Sequence, residues 1–377
     1  MRGQQPPEPV THEPMTGMWN IFGYPEAAEV LSNPQIFSSN TARLLPEAGD
    51  ASAGDMTQMD PPDHFKLRRL VSSAFSRKVV ADHEPQVIEL ANQLLDEASG
   101  KDRIELVNDL AYPLPVIVIA EMLGVPSSDR HLFKGWVDAL FEQTQQFSFA
   151  DDDQRQRDVE EGLNRVRPIL EYLGQHAAER RRSPREDLLT RLVQAEVDGE
   201  RLTDTEIVNF ANILLIAGHI TTTMSLANTV LCLDTHPEQQ RAVRADPSLI
   251  PAAIEESLRL FSPFAASGRV TNEEVELGGK KIGANQMLYV WLAAANRDER
   301  QFPNPHAFDV SRSPNPHFGF GHGVHHCFGA PLARLQVRLA LKVLLDRFPE
   351  LRRDPDNPPR FMPSPNMTGV TSLTLLV

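Results

Sequence analysis

Cysteine is almost missing from the chain, with Cys232 and Cys327 the only two in 377 residues. Two cysteines cannot build a disulfide scaffold, and a reducing compartment is the simpler setting. Positive charge is also short: 37 Lys and Arg stand against 51 Asp and Glu, a formal net charge of −14. A general binder of phosphate backbones needs a basic stripe, so no nucleic-acid partner is expected. No apolar run approaches the ~20 residues that a bilayer crossing takes. The opening MRGQQPPEPVTHEP holds no apolar segment, so neither a signal peptide nor a membrane anchor is read there, and the expected location is the cytoplasm. Repeats with a period of about 20–50 residues are lacking too. Hydrophobic residues at 41% and charged residues at 23% exclude a disordered chain.

Proline, by contrast, is plentiful, with 30 residues scattered along the chain. Pro34, Pro113, Pro126, Pro237, Pro247, Pro263 and Pro305 stand as stops between helices. Helical apolar spacing predicts helices over 84–99, 113–123, 129–143, 154–181 and 187–197. Thr203, with Glu206 three residues on, forms a capping box that opens the longest helix. That helix is expected to reach about 234, where His236-Pro237 stops it, and its middle over 213–217 is apolar nearly all round. Beyond 262, the runs 269–271, 275–277 and 287–291 read as short strands between Gly and Asn turns. A helix over 330–348 and a strand over 371–377 complete the chain. The expected fold is mainly α with a small β portion, one domain over 1–377. Its helix-rich core spans about 59–261 and 328–348, and its β-rich portions about 16–24, 266–291 and 359–377.

Three segments carry chemistry. Phe320-Gly321-His322-Gly323-Val324-His325-His326-Cys327-Phe328-Gly329 is a glycine-rich loop that can turn tightly and approach another group closely. A cysteine there, just ahead of a helix N-terminus, has amides and a helix dipole to favour its thiolate. Three readings stand: a structural cysteine beside surface histidines, a zinc site from His322, His325, His326 and Cys327, or an axial thiolate to haem iron. Zinc lacks the usual second ligand pair. The haem ligand fits better, because it asks for one sulfur and backbone donors to tune it. The second segment holds Glu256 and Arg259, which share a helix face at i and i+3; taken alone they make an ordinary surface ion pair. The third, Ala217-Gly218-His219-Ile220-Thr221-Thr222, lies mid-helix, where Gly218 serves either close packing or a widened groove for a small molecule beside the Thr221 hydroxyl.

In this order and spacing the segments resemble the cytochrome P450 family, the haem-thiolate monooxygenases, of the soluble bacterial type. The resemblance runs from about 16 to 377. Phe320, Gly321, Gly323, His325, Cys327 and Gly329 match its haem-binding signature, Glu256 and Arg259 its ExxR pair, and Ala217, Gly218, Thr221 and Thr222 its oxygen groove. The resemblance implies a triangular helical fold enclosing haem b, with Cys327 as the axial ligand to iron. It gives His64, Arg68, Arg269 and His325 the two propionates and gives Thr221 a part in proton delivery. It lines the substrate pocket with Asn212, Ala217, Thr221, Phe264, Ala265, Ala266, Asn366 and Met367, under a roof from 43–58 and 146–151.

Two departures stand out. The family's acid before the groove threonine is Ile220 here, which cannot relay a proton; His219, ordered water or the substrate must do so instead. The segment 16–31 already resembles the first sheet and second helix, so the first helix is reduced or absent.

The implied activity is insertion of one oxygen from dioxygen into a lipophilic specialised metabolite such as a polyketide or terpenoid, by hydroxylation first and epoxidation second. Electrons come from NAD(P)H through a ferredoxin reductase and a ferredoxin. Lys66, Arg69, Arg77 and Arg338 are expected to form a basic patch that steers the acidic ferredoxin. Two alternatives remain: a peroxide-driven, ring-forming or coupling enzyme on a carrier-bound substrate, and a non-catalytic haem sensor.

Overall fold

The capping box forms as the sequence spaces it. The Thr203 amide donates to Glu206 Oε2 at 2.8 Å and the Glu206 amide to Thr203 Oγ1 at 3.2 Å, opening a helix over Asp204–Thr235. The computed structural model describes residues 8–44, 55–98, 102–129, 132, 135–136, 152–364 and 366–377.

Along the chain, β1 (Val10–Glu13), β2 (Met18–Ile21), α1 (Tyr24–Ser32) and β3 (Phe37–Ser38) come first. Next are α2 (Asp63–Ala74), α3 (Arg77–Asp82), α4 (Glu84–Glu97), β4 (Arg103–Glu105) and α5 (Pro113–Met122). Then follow α6 (Asp152–Arg182), α7 (Leu188–Gln194), β5 (Glu196–Val197), β6 (Glu200–Arg201) and α8 (Asp204–Thr235). After them stand α9 (Pro237–Ala245), α10 (Ile250–Leu260), β7 (Ser267–Thr271), β8 (Val275–Leu277) and β9 (Lys280–Ile282). The chain closes with β10 (Met287–Val290), α11 (Leu292–Ala295), α12 (Ala330–Arg347), β11 (Arg352–Arg353), β12 (Arg360–Phe361), β13 (Val370–Ser372) and β14 (Thr374–Leu376).

Helix α8 is apolar on nearly all sides because α5, α6, α10 and α12 pack around it, leaving a stretch about Ala217 open. By length and composition it could cross a membrane, yet most of its side chains are buried inside the protein. A second core lies under a five-stranded sheet in the order β1-β2-β10-β7-β3, in which β2 and β10 run parallel. Strand β7 has partners on both sides, β10 through Leu288 opposite Arg269 and β3 through Ser38 opposite Val270. Arg269 therefore sits on an interior strand.

The predicted helices are present near their expected bounds, except that 129–143 falls mostly outside the described residues. Three differences have local causes. The helix expected over 187–197 stops at Gln194, because Asp198 and Gly199 both take positive φ and turn the chain into the β5–β6 hairpin. The C-terminal strand is interrupted at Leu373, whose carbonyl accepts from the Leu106 amide outside the strand ladder. Strand β1 lies ahead of residue 16, where no strand was expected, and pairs Val10 with Ile21.

Candidate active site

The cysteine loop is shaped by its glycines. Gly321 and Gly323 take φ of 70° and 67°, and a Cβ on Gly323 would come within 2.2 Å of the Leu31 carbonyl oxygen. The Cys327 amide donates to the Phe320 carbonyl at 2.8 Å, which closes the loop just before α12. Burial pushes the Cys327 thiol up from its ordinary value, while the Gly329 and Ala330 amides and the charges of Arg68 and Arg334 pull it the other way. A soft metal bound at the sulfur would finish what those donors begin.

Arg68 reaches this loop from α2. Its Nη1 donates to the Val324 carbonyl at 3.0 Å and its Nη2 to the His326 carbonyl at 2.8 Å. As placed, it braces the loop and spends these donors on backbone. His64, one turn earlier on α2, is buried with neither ring nitrogen partnered, and its ring lies 4.3 Å from that of His325. His325 Nε2 is likewise buried and unpartnered; burial first, then the Arg269 charge, push this imidazole down to about 3. Arg269 is buried on β7 and donates only to its neighbours, Ser267 Oγ at 3.0 Å and the Gly268 carbonyl at 2.6 Å. Burial drives it down to about 10. Buried donors left open in this way call for an anion with several oxygens.

Beneath the loop, Glu256 and Arg259 are fully buried, so the surface ion pair is not what forms. The guanidinium grips both carboxylate oxygens at 2.8 Å and donates to the carbonyls of Asn296, Pro305 and Ala307. Arg312 Nε, Asn315 Nδ2 and the Asp309 amide also reach the Glu256 carboxylate. The sequence reading missed Arg312 and Asn315; nothing in their spacing marks them. It also missed Glu255, next to Glu256, which receives Arg334 at 2.7 and 2.8 Å and His317 at 3.1 Å. Arg334 in turn lies 4.3 Å above the Phe320 ring, tying α10 and α12 to the loop.

On α8 the structure sorts the groove residues by helical angle, about 100° per residue. Ala217 is exposed, Thr221 half-buried one turn on, and Thr221 Oγ1 donates to the Ala217 carbonyl at 2.5 Å. These two share the open face. Gly218 looks toward α5, where an added Cβ would meet Ile119 Cδ1 at 2.6 Å, so close packing explains this glycine. His219 is turned some 200° from both Ala217 and Thr221. It is fully buried with unpartnered ring nitrogens, its ring edge-on to Tyr112 at 4.3 Å. Burial holds it neutral at about 3, against a weak opposing pull from the Tyr112 backbone. His219 therefore cannot stand beside Thr221 as a proton relay, which corrects that expectation.

Thr222 and Asn212 are corrected for the same reason. Each is buried and lies about 140° around the helix from Ala217. Asn212, two turns before His219, shares that residue's face rather than the pocket wall; Ile213, four before Ala217, takes the place expected of it. Ile220 is packed into an apolar cluster with Met224, Met362 and Met367. Met367 also bridges to Phe264, and the Ala265 amide donates to the Asn366 carbonyl at 2.8 Å, which sets this turn against the Thr221 stretch. Phe264 is 47% exposed and Ala265 buried, so the aromatic ring is the available group of the two. The roof residues 45–54 and 146–151 lie outside the described residues.

Among the described residues no three His, Cys, Asp or Glu side chains come together as a metal cluster, and the zinc reading finds no support. The basic residues expected at the patch are mostly paired within the protein: Lys66 with Glu200, Arg69 with Asp198 and Arg338 with Glu84.

Comparison with known proteins gives a consistent picture. The family model described as Cytochrome P450 matches residues 11–375. Cyclomarin C epoxidase CymV of Salinispora arenicola (strain CNS-205) is 39% identical over 379 residues, covering 100% of this chain and 94% of its own. Erythromycin C-12 hydroxylase of Saccharopolyspora erythraea is 41% identical over 343 residues, covering 90% of this chain and 84% of its own. The crystal structure of HmtT, involved in himastatin biosynthesis, is 57% identical with a TM-score of 0.92, covering 100% of this chain and 96% of its own. Proteins of this kind are enzymes that carry haem on a cysteine thiolate. The donor set fits that group: one sulfur already receiving two amides, and beside it the open nitrogens of His64 and His325 with buried Arg269, suited to a pair of carboxylates.

Proposed function

The chain belongs to the cytochrome P450 family and is a haem-thiolate monooxygenase acting on secondary metabolites, and from that premise we propose that it hydroxylates a lipophilic natural product in the cytoplasm, drawing electrons from NAD(P)H through a ferredoxin reductase and a ferredoxin. Cys327 holds the iron, and Arg269, His64 and His325 hold the propionates. The observation that carries this assignment is the convergence of the open ring nitrogens of His64 and His325, with buried Arg269 near them, beside the loop that presents the Cys327 sulfur. When bound, the haem supplies reductive activation of dioxygen, which no side chain provides.

The chain's own groups do the rest. Arg68 fixes the cysteine loop through Val324 and His326, and the Glu256–Arg259 network fixes the segment that leads into it. Thr221 Oγ1 gives its proton to the Ala217 carbonyl, so its lone pairs point outward to accept a proton donor from water or from the guest. Ile220 and its methionines keep that side of the groove dry. Phe264 offers an aromatic face to an apolar substrate.

A spectral titration tests the reading. Purified protein, reduced under carbon monoxide, is expected to show the spectrum of a thiolate-ligated ferrous haem, and Cys327→Ser to lose it. Adding lipophilic natural products should move the haem from low to high spin where one fits, and product analysis with ferredoxin and its reductase should find one added oxygen. Ile220 favours a second reading, a peroxide-driven or coupling enzyme on a carrier-bound substrate, because the usual acid is gone. Spin shifts only with tethered compounds, and product formed with hydrogen peroxide alone at the full rate, would decide for it.

A further inference from the structure

Lys66 and Arg69 lie three residues apart on α2 and so share a face. Both are met by acids of one hairpin. Lys66 Nζ is 2.8 Å from Glu200 Oε2, and Arg69 Nη2 is 2.6 Å from Asp198 Oδ2. In that hairpin, β5 and β6 pair Val197 with Glu200 around a two-residue turn, Asp198-Gly199, with φ of 55° and 80°. Two positive φ values at a two-residue turn match the strand twist and give the hairpin a fixed register. A Glu196–Arg201 ion pair ties its open end. The two carboxylates are thus presented on a stiff unit at the spacing of the two cations.

The pairs themselves are weakly held. Side-chain exposures are 49% and 51% for Lys66 and Glu200, and 57% and 73% for Arg69 and Asp198. Ion pairs that wet are screened, and exchange for another carboxylate at little cost. Beside them Phe65 is an exposed aromatic at 52%, while Arg68 on the same helix runs inward to the carbonyls of the cysteine loop. Two cations and an aromatic on a helix wired to the cysteine loop make a docking face for an acidic protein.

Resting on the ferredoxin reading above, we propose that the Glu196–Arg201 hairpin is a built-in acidic competitor, and that an acidic electron-donor protein docks on α2 by displacing Asp198 and Glu200 from Arg69 and Lys66. The test uses the haem-loaded enzyme and a plant-type [2Fe–2S] ferredoxin as the acidic probe. Asp198→Asn/Glu200→Gln is expected to bind the probe about three- to tenfold more tightly at low salt, with the gain vanishing near ~0.5 M salt. First-electron transfer at sub-saturating probe should rise by the same factor, with the haem spectrum unchanged. Lys66→Gln/Arg69→Gln should weaken binding and make the hairpin substitutions silent when the two are combined. Unchanged or weaker binding by the hairpin variant, with the cation variant still impaired, overturns the competitor while leaving the ferredoxin reading intact. Normal binding by the cation variant overturns the docking face itself. A probe that binds no variant at any salt, with electrons accepted only from a different class of donor, takes the ferredoxin reading down and the proposal with it.

Discussion

Glu256 shows most sharply how one residue's surroundings decide its worth. The pair it makes with Arg259 would contribute little at a surface, but here both partners are sealed, and Arg312 and Asn315 close on the same carboxylate. Removing the charge leaves two guanidinium groups facing a neutral amide in a dry site. Glu256→Gln is therefore expected to cost about 3–5 kcal/mol, read as a fall in the denaturant midpoint at unchanged slope. Arg259→Lys should behave similarly, since an ammonium cannot grip two oxygens while reaching three carbonyls. The groove motif teaches the opposite lesson. Six consecutive residues read as one feature in the sequence, yet a helix deals them around its circumference, and only Ala217 and Thr221 reach the open face. Adjacency in the chain was a poor guide to His219 and Thr222; counting in steps of three and four would have placed them, and would have chosen Ile213 over Asn212.

Among the elements, the cysteine loop is the least forgiving. Gly323 combines a left-handed φ of 67° with a Leu31 carbonyl 2.2 Å from where a Cβ would sit, whereas Gly17 has a similar φ of 68° and no atom within 4 Å. Gly17→Ala should show the backbone strain alone, about 1–2 kcal/mol. Gly323→Ala should cost measurably more and lower the fraction of protein that retains haem, as checked by thermal unfolding and by haem-to-protein absorbance. The long elements were legible from the chain because periodicity repeats over several turns: α4, α5, α6 and α12 lie within a few residues of their expected bounds. The capping box was legible because it is entirely local. Two-residue strands such as β5 and β6 carry no period to read, and the pairing of β1 with β2 depends on a partner sheet the local sequence does not describe. His64 and Arg269 came from resemblance; their burial, and the lack of partners on the His64 ring, are properties of the fold alone.

Across the whole molecule, buried imidazoles link stability to acid. His219 has its pKa lowered to about 3 by burial, well under the ordinary value of 6.5. The unfolded chain then takes up a proton that the folded protein refuses, so stability is full above about pH 6.5 and falls as pH drops toward 3. Below pH 6.5 this one group should remove about 1.4 kcal/mol per pH unit. Urea unfolding at pH 7, 6 and 5 should show at least that slope, because His325 is lowered to about 3 as well, and His219→Gln should flatten it by about one proton. The Glu255 carboxyl acts lower on the scale: burial would raise it, but Arg334 and His317 hold it down at about 2, so its contribution fades only between about 4.5 and 2.

The packing around Ile220 has a consequence for selectivity. Its neighbours are three methionines, and Met224 lies over Gly369, where a Cβ would come within 2.5 Å of its sulfur. Thioether chains are unbranched and polarisable and change rotamer cheaply, so a wall built from them moulds itself to what presses on it. Packed behind the proposed pocket, such a cluster would register bulk but not outline. In the proposed pocket, discrimination between guests of similar size then falls to the stiffer features beside the methionines, the Phe264 ring and the Thr221 hydroxyl, which reward a flat face and a single well-aimed polar group.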